Sequence, residues 1–275
     1  MSQNEVFGCF SVASVAGTYD DIYVPRIFIP WAKLLLEQAR LQPGESVLDV
    51  ATGPGTVARL AAEELGPKGR VVAADISPAM LEIARQKRRA LSAAEIHYVV
   101  SPAAPLVAPG AAFDVVTCQQ GLQFFPDRGA AIREMHRALR PGGRLVVAVW
   151  RGLAEQPTFA AVDAALREVL SPEQAEPYGA PFRWPKADEL AAALRGQGFQ
   201  DVGVAEHALP LVYEGGVPQV LKTIAASPVA ATVAALSESE RARLWRAGER
   251  QLQPLLLNDQ VRTRMVSNIA VARKP

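Results

Sequence analysis

Asp49-Val50-Ala51-Thr52-Gly53-Pro54-Gly55-Thr56-Val57-Ala58 is the stretch on which the reading of this chain turns. Before it, Ser46–Ala51 (SVLDVA) is a short apolar run and reads as a strand; after it, Thr56–Leu65 repeats apolar residues at helical spacing. Glycines between a strand and a helix make a tight turn, where a ligand can approach both the backbone and the helix N-terminus. Asp75 stands 20 residues beyond Gly55, at the end of the second strand. A carboxylate there can accept hydrogen bonds from both hydroxyls of a ribose.

Two ligands compete for this turn. The spacing Gly53-x-Gly55-x-x-Ala58 matches the dinucleotide fingerprint, which points to a nicotinamide or flavin dinucleotide. The other is S-adenosylmethionine. Asp49 separates them, because it lies four residues before Gly53 and faces the same turn. A pyrophosphate would be repelled by that carboxylate; a ligand with an ammonium and a sulfonium and no phosphate would be favoured by it. A plainer role, in which Asp49 only bonds loop amides, competes with this one.

Working outward, the middle of the chain alternates two periods. Strands are expected at Arg70–Ala74, Ile96–Val100, Phe113–Cys118 and Arg144–Trp150. Between them lie helices, one opened by Ser77-Pro78 and running to about Leu91, another over Gly129–Leu139 and stopped by Pro141-Gly142-Gly143. Strands apolar on both faces, separated by amphipathic helices, indicate a parallel sheet covered on both sides. Further on, helices are expected at Pro157–Leu170, Lys186–Arg195, Val217–Ala226 and Ser237–Gln253. Ser171–Pro185 reads as a loop, Val202–Ala208 as a sixth strand, and Arg262–Ala272 as a strand closing the sheet. The expected fold is α/β: a Rossmann-like, doubly wound, mostly parallel seven-stranded sheet with helical cap insertions. With no repeat and no low-complexity linker, residues 1–275 read as a single domain. Residues 1–45 hold an N-terminal lid and helices, 46–151 the cofactor-binding core, and 152–275 the remaining strands and the cap.

Composition narrows the function. Lys+Arg 29 against Asp+Glu 28 leaves a net charge of +1, which excludes a bulk basic surface built for nucleic acid. Two cysteines, Cys9 and Cys118, make no disulfide framework, so a reduced, cytoplasmic chain is expected. The mildly apolar Phe7–Gly17 has no Lys or Arg before it and makes a poor signal peptide, and no run reaches 18 apolar residues, so no membrane insertion is expected. His97, His136 and His207 share no ligand-like spacing, and no metal site is expected.

Four stretches together resemble the class I S-adenosylmethionine-dependent methyltransferases, in the branch of the ubiquinone/menaquinone-biosynthesis C-methyltransferases. They are Val47–Thr56 (VLDVATGPGT), Val71–Arg85 (VVAADISPAMLEIAR), Phe113–Asp127 (FDVVTCQQGLQFFPD) and Glu134–Trp150 (EMHRALRPGGRLVVAVW). Ala16–Asp20 (AGTYD) resembles the segment that folds over the cofactor in that branch. The resemblance implies S-adenosylmethionine at Ala51, Gly53 and Gly55, its ribose on Asp75, adenine against Ile76, the methionine end facing Gln119, and Tyr19 in a lid. Where the family has an acidic residue for the adenine amino group, this chain has Pro102 between Ser101 and Ala103. That contact then falls to Ser101 or a backbone carbonyl.

Methyl transfer is an in-line displacement that needs alignment and dryness more than acid–base chemistry. A base is needed only if the acceptor loses a proton, and His207, at the end of the sixth strand, is the least implausible histidine for it. Gln123 and Phe124-Phe125 follow the fourth strand, where the family often lines the acceptor pocket. Trp31, Phe159, Tyr178, Phe182 and Trp184 could enclose a small apolar or aromatic acceptor. The lid, Val15–Tyr23, is expected to order when cofactor or acceptor binds. A dinucleotide-dependent oxidoreductase is the second reading, although no Tyr here has a Lys four residues on. A non-methylating S-adenosylmethionine-binding protein is the third. Oligomeric state leaves no mark in the sequence.

Overall fold

The computed structural model describes residues 13–87, 90–183 and 186–275, with side chains from residue 16 onward. Cys9 and Trp184 lie outside the described residues. The strands are β1 Ser46–Val50, β2 Arg70–Asp75, β3 Glu95–Val100, β4 Phe113–Gln119, β5 Leu139–Trp150, β6 Gln200–Tyr213, β7 Leu256–Leu257 and β8 Gln260–Arg273. Their order is β3-β2-β1-β4-β5-β8-β6, with the two-residue β7 on β8. Strands β1 to β5 pair in parallel. Hydrogen bonds join Gly142 and Gly143 to Lys274, and Arg151 to Val266, so β8 runs against β5.

The helices are α1 Ala13–Tyr23, α2 Ile29–Ala39, α3 Thr56–Leu65, α4 Pro78–Gln86, α5 Arg128–Ala138, α6 Pro157–Arg167, α7 Pro172–Ala175, α8 Ala187–Arg195, α9 Gly216–Lys222, α10 Ala230–Ala234 and α11 Glu238–Leu252. The expected lid, Val15–Tyr23, is therefore helical, and a π-helical turn, Val24–Phe28, carries α1 into α2.

The chain divides into two compact units. The larger comprises residues 28–149, 186–207 and 267–275. Its inner strands are apolar on both faces, as a parallel sheet covered on both sides requires: Val47, Leu48, Val71, Val115, Val116 and Leu145 are wholly buried. Helix α3 supplies Ala58, Ala61, Ala62 and Leu65 to the core, and α5 supplies Ala131, Ile132, Met135 and Ala138.

Several elements depart from the sequence expectation. Helix α4 stops at Gln86, well short of Leu91, because Lys87 is already extended and its N–H closes on Ala84 O; Leu91 is fully exposed. Helix α5 does stop before Pro141-Gly142-Gly143, at Ala138, but β5 begins at Leu139 instead of Arg144, so the three residues lie within it, between the pairs Phe113↔Leu139 and Val115↔Arg144, as a bulge with Gly142 at φ 77. Strand β6 runs six residues beyond His207 and through Pro210, which an edge strand tolerates because one side of it needs no donor. Helix α8, within the 152–275 stretch expected to hold the remaining strands and the cap, belongs to the larger unit.

Described residues of the smaller unit are 13–27, 150–183 and 208–266. Here Ser171–Pro185, expected as a loop, contains α7 and a 3-10 helix, Glu176–Phe182. Ser171 and Gln174 form a reciprocal capping box with Pro172 in the first turn. The Gln156 side chain is fully buried; it donates to Val266 O at 2.7 Å and accepts from Val266 N at 3.0 Å, tying the start of α6 to β8. Tyr23 Oη donates to Thr223 O at 3.1 Å and anchors α1.

One ion pair clamps the larger unit beneath the sheet. Arg144 on β5 donates to both carboxylate oxygens of Glu45, at 2.8 and 2.7 Å, and to the carbonyls of Ala39 and Arg40 that end α2. Both side chains are mostly buried, 14% and 18% exposed. Arg144→Ala removes the guanidinium from the Glu45 carboxylate, which keeps only the Gln42 amide, and from the Ala39 and Arg40 carbonyls. It is expected to cost about 2–3 kcal/mol of stability. Urea unfolding measures this, and a loss below about 0.5 kcal/mol, the level of an exposed pair, would contradict the clamp.

Candidate cofactor site

The sheet order places β2 and β4 on opposite sides of β1: the chain runs out from β1 through β2 to β3 and then crosses back to β4. A crevice opens at such a reversal, at the carboxyl ends of the strands, and ligands of open α/β sheets bind there. The turn after β1 occupies that position. Ala51, Gly53 and Gly55 are left-handed, at φ 57, 54 and 76. Thr52 N donates to Ala74 O and Gly55 N to Thr52 O, both at 3.0 Å. Glycine adopts such angles freely, whereas Ala51 does so at a cost of roughly 1–2 kcal/mol. Gln120, just past β4, is likewise left-handed at φ 55. Strained residues at two adjacent strand ends mark a functional site more often than a packing requirement.

The two glycines do different work. A Cβ on Gly55 would stand 3.0 Å from Ala84 Cβ and 3.4 Å from Tyr98 Oη, so this glycine lets the turn pack down. A Cβ on Gly53 would meet nothing within 4 Å, so the backbone there faces open space.

Two buried carboxylates hold the turn. Asp75 accepts from Gly53 N at 2.7 Å on one oxygen and from Ser77 N at 2.8 Å on the other. It thereby ties the turn to the start of α4, whose N-cap is Ser77. Burial raises its pKa, against the pull of those amides. Asp49, 1% exposed, accepts from Thr52 Oγ1 at 2.6 Å and Thr117 Oγ1 at 2.8 Å. Thr117 is its register partner on β4, so both point to one face. Burial pushes the Asp49 pKa up to about 6; the two hydroxyls oppose this, and the charge of Asp75 adds to it. The carboxylate thus bonds turn and strand hydroxyls, closer to the plain reading of Asp49, while keeping its place beneath the turn.

Around these groups lie exposed apolar side chains. Ile76, directly after Asp75, is 56% exposed, Val100 at the end of β3 51%, and Val107 in the loop beyond 59%. Ser101 N donates to Asp75 O at 2.9 Å, which brings Ser101 beside the carboxylate strand. Its hydroxyl donates to Pro102 O and accepts from Val107 N, folding the loop in which Ala103 sits half-buried. Gln119, at the end of β4, donates to Phe28 O at 3.1 Å. Gln123 is buried in a 3-10 turn whose carbonyl accepts from Arg128.

Asp49, Ala51, Gly53, Gly55, Asp75, Ile76 and Ser101 therefore converge, with Gln119 on the adjoining strand end. His207 does not join them. It stands mid-strand on β6, four strand spacings from β1, roughly 19 Å across the sheet; a base at the crevice it cannot be. His97 is exposed beside Glu95, and His136 packs edge-on against Phe199 on α5. The Cys118 thiol is wholly buried and pushed up to about 12 by burial, which makes it a packing residue. Tyr19 lies on α1, in the smaller unit, with its ring 5.7 Å from that of Tyr23.

The sequence reading missed Thr52, Thr56 and Thr117. Thr117 shows its part only through strand register. Thr56, 4% exposed, opens α3, and its hydroxyl has no partner among the described residues. Also among the described residues, no helix is long and apolar enough to cross a membrane, and no group of three or more His, Cys, Asp or Glu could hold a metal.

Comparison with known proteins agrees with this geometry. The model of the ubiE/COQ5 methyltransferase family matches residues 2–166. The ubiquinone/menaquinone biosynthesis C-methyltransferase UbiE of Enterobacter sp. (strain 638) is 32% identical over 203 residues, covering 69% of this chain and 81% of that protein. UbiE of Escherichia coli (strain K12 / DH10B) matches at 32% over 203 residues, covering 70% and 81%. Among solved structures, phosphoethanolamine N-methyltransferase 2 of Haemonchus contortus, in complex with phosphomonomethylethanolamine and S-adenosylhomocysteine, shares the fold. Its TM-score is 0.61 at 19% identity, over 99% of this chain and 60% of that one. The YcgJ protein of Bacillus subtilis does so at TM-score 0.57 and 17% identity, over 89% and 98%. With its turn, its carboxylates and its fold accounted for together, the chain belongs to the ubiE/COQ5 methyltransferase family and is an S-adenosylmethionine-dependent methyltransferase of small molecules.

Proposed function

We propose that S-adenosylmethionine binds at the turn Ala51–Gly55, with its ribose diol on Asp75, and that the chain transfers its methyl group to a small apolar or aromatic acceptor. The observation that carries this reading is the pair of buried carboxylates, Asp49 and Asp75, beneath a turn that leaves open space over Gly53. A pyrophosphate would be repelled there, and a cationic ligand is favoured. Asp75 accepts the Gly53 and Ser77 amides on different oxygens, with the Ile76 amide beside them, and its remaining lone-pair capacity is what the ribose hydroxyls would use. Ile76 offers its exposed face to the adenine, and the Ser101–Ala103 loop borders the ring with backbone carbonyls. Gln119 faces the methionine end.

The bound cofactor supplies an electrophilic methyl group. The chain's own part is to fix the donor's orientation through Asp75 and the turn amides, and to exclude water from the reacting atoms. For the acceptor, the relatives named for ubiquinone and menaquinone biosynthesis suggest a quinone precursor. The family match ends at residue 166, so most of the smaller unit lies outside it.

A screen of small aromatic and apolar compounds with methyl-labelled cofactor tests the activity. Label is expected in an extractable product. Tight binding of S-adenosylhomocysteine with no transfer to any compound would favour a non-methylating cofactor binder instead.

Two further outcomes are expected. Asp75→Ala weakens S-adenosylhomocysteine binding by about 1.5–3 kcal/mol, the range for hydrogen bonds to a charged group. Asp114→Ala leaves binding unchanged, because Asp114 sits at the opposite end of β4 and holds Ser46 N and Arg140. An unaltered dissociation constant in folded Asp75→Ala would remove Asp75 from the ribose role.

The second concerns pH. The Asp49 pKa in the fold, about 6, lies above the ordinary 3.8. Its contribution to stability is therefore full below about pH 4 and is lost as pH rises through 6, because the buried group must then ionise. A cationic ligand favours the ionised form, so S-adenosylmethionine binds more tightly as pH rises from 5 to 7. Asp49→Asn flattens that profile and removes the matching decline in melting temperature. Identical pH profiles for the two proteins would place the titration elsewhere.

A further inference from the structure

The larger unit holds a second concavity, of about 460 Å³, at the amino end of its parallel strands and away from the cofactor turn. Its walls come from the end of α2, the segment that follows, the start of β5 and the end of β8. That volume suits a small organic molecule. Three arginines line it, Arg40, Arg144 and Arg273, and no carboxylate among the described residues does.

The three are not equivalent. Arg144 spends its donors on Glu45 and on the carbonyls of Ala39 and Arg40. Glu45 is committed in turn, to Arg144 and to Gln42 N. The Arg40 guanidinium has no hydrogen bond or ion pair among the described residues. Arg273 gives one nitrogen to Gly142 O, at 3.3 Å, and keeps the rest of its fork. Both are exposed, so packing asks for neither charge. Arg40 is also the left-handed residue that closes α2, at φ 49, with its N–H on Leu36 O. Glycine commonly takes that position. An arginine there adds nothing to the cap; what it adds is a charge at the cavity.

We propose that this cavity is a second binding site, for a phosphomonoester held by Arg40 and Arg273. Two uncompensated guanidiniums on one concavity repel each other, and a cleft lined by one sign of charge concentrates the other. Two positive charges match a dianion, and each fork fits a pair of phosphate oxygens. Ala39 and Val271 supply an apolar wall for the organic part of the ester. Neither arginine belongs to the cofactor turn, so the assignment is independent of the methyl-transfer reading.

The test is calorimetric titration of the full chain at pH 8, where a phosphomonoester is a dianion, with phenyl phosphate and benzoate as probes. Vesicles of phosphatidic acid in phosphatidylcholine, assayed by sedimentation, present the same group on a lipid. Wild type is expected to bind phenyl phosphate about tenfold more tightly than benzoate, and Arg40→Gly and Arg273→Gln each to lose about tenfold, the worth of one charged hydrogen bond. Arg40→Gly keeps or raises the melting temperature, because glycine suits the left-handed cap. Arg133→Ala, which removes an exposed arginine on α5, leaves binding unchanged. Binding of phenyl phosphate identifies a soluble ester as the ligand; binding of the vesicles alone, lost in the same two variants, identifies a lipid headgroup, and the phosphomonoester site stands in either case. The proposal is overturned if neither phenyl phosphate nor the vesicles bind, if benzoate binds as tightly as phenyl phosphate, if both Arg40→Gly and Arg273→Gln bind like wild type, or if Arg133→Ala weakens binding as much as they do.

Discussion

One carboxylate holds the account together. Asp75 draws Gly53 N and Ser77 N onto its two oxygens, at 2.7 and 2.8 Å, and so fixes the turn after β1 against the start of α4. That bridge adds to the turn's other bonds, Thr52 N to Ala74 O, Gly55 N to Thr52 O and Thr52 Oγ1 to Asp49, in holding the left-handed Ala51, Gly53 and Gly55. The sheet makes the bridge possible. Parallel pairing sets Asp49 beside Ala73 and Val50 beside Ala74, so β2 delivers Asp75 to the edge of the turn. The same pairing on the other side sets Thr117 beside Asp49. Both carboxylates are therefore positioned by strand register, and the chemistry follows from backbone geometry.

Burial gives the site its electrostatic character. Asp49 and Asp75 are each pushed toward the neutral form mainly by desolvation, and the amides and hydroxyls around them hold part of that shift back. Such groups are costly in the empty fold and become useful once a positive charge arrives. That is a physical reason for a sulfonium ligand in preference to a pyrophosphate, on a turn whose spacing alone fits either.

Most of the larger unit was legible in the sequence, because its signals are local. The run SVLDV, the Ser77-Pro78 cap and the spacing of Thr56–Leu65 each announce an element from its own residues. What escaped depends on neighbours. Pro141-Gly142-Gly143 stops α5 as it reads, but β5 already begins at Leu139 and carries the three residues as a bulge, because Gly142 and Gly143 pair with Lys274, 131 or more residues away. Strand β6 passes Pro210 only because it is the edge of the sheet, and the position of His207 changes with it. Thr117 and Thr52 are ordinary residues in the sequence and become Asp49's partners only once register and turn are formed. The Ser171–Gln174 capping box was there to be read, but the prolines around it suggested a loop.

The claim that the turn Ala51–Gly55, held by Asp75, receives the cofactor is tested most directly by amide chemical shifts in the full chain during titration with S-adenosylhomocysteine. The account predicts that the amides of Gly53, Gly55 and Ile76 move together and saturate at one equivalent per chain. Shifts that leave these three residues untouched while others saturate, or no shifts at millimolar ligand, would contradict it.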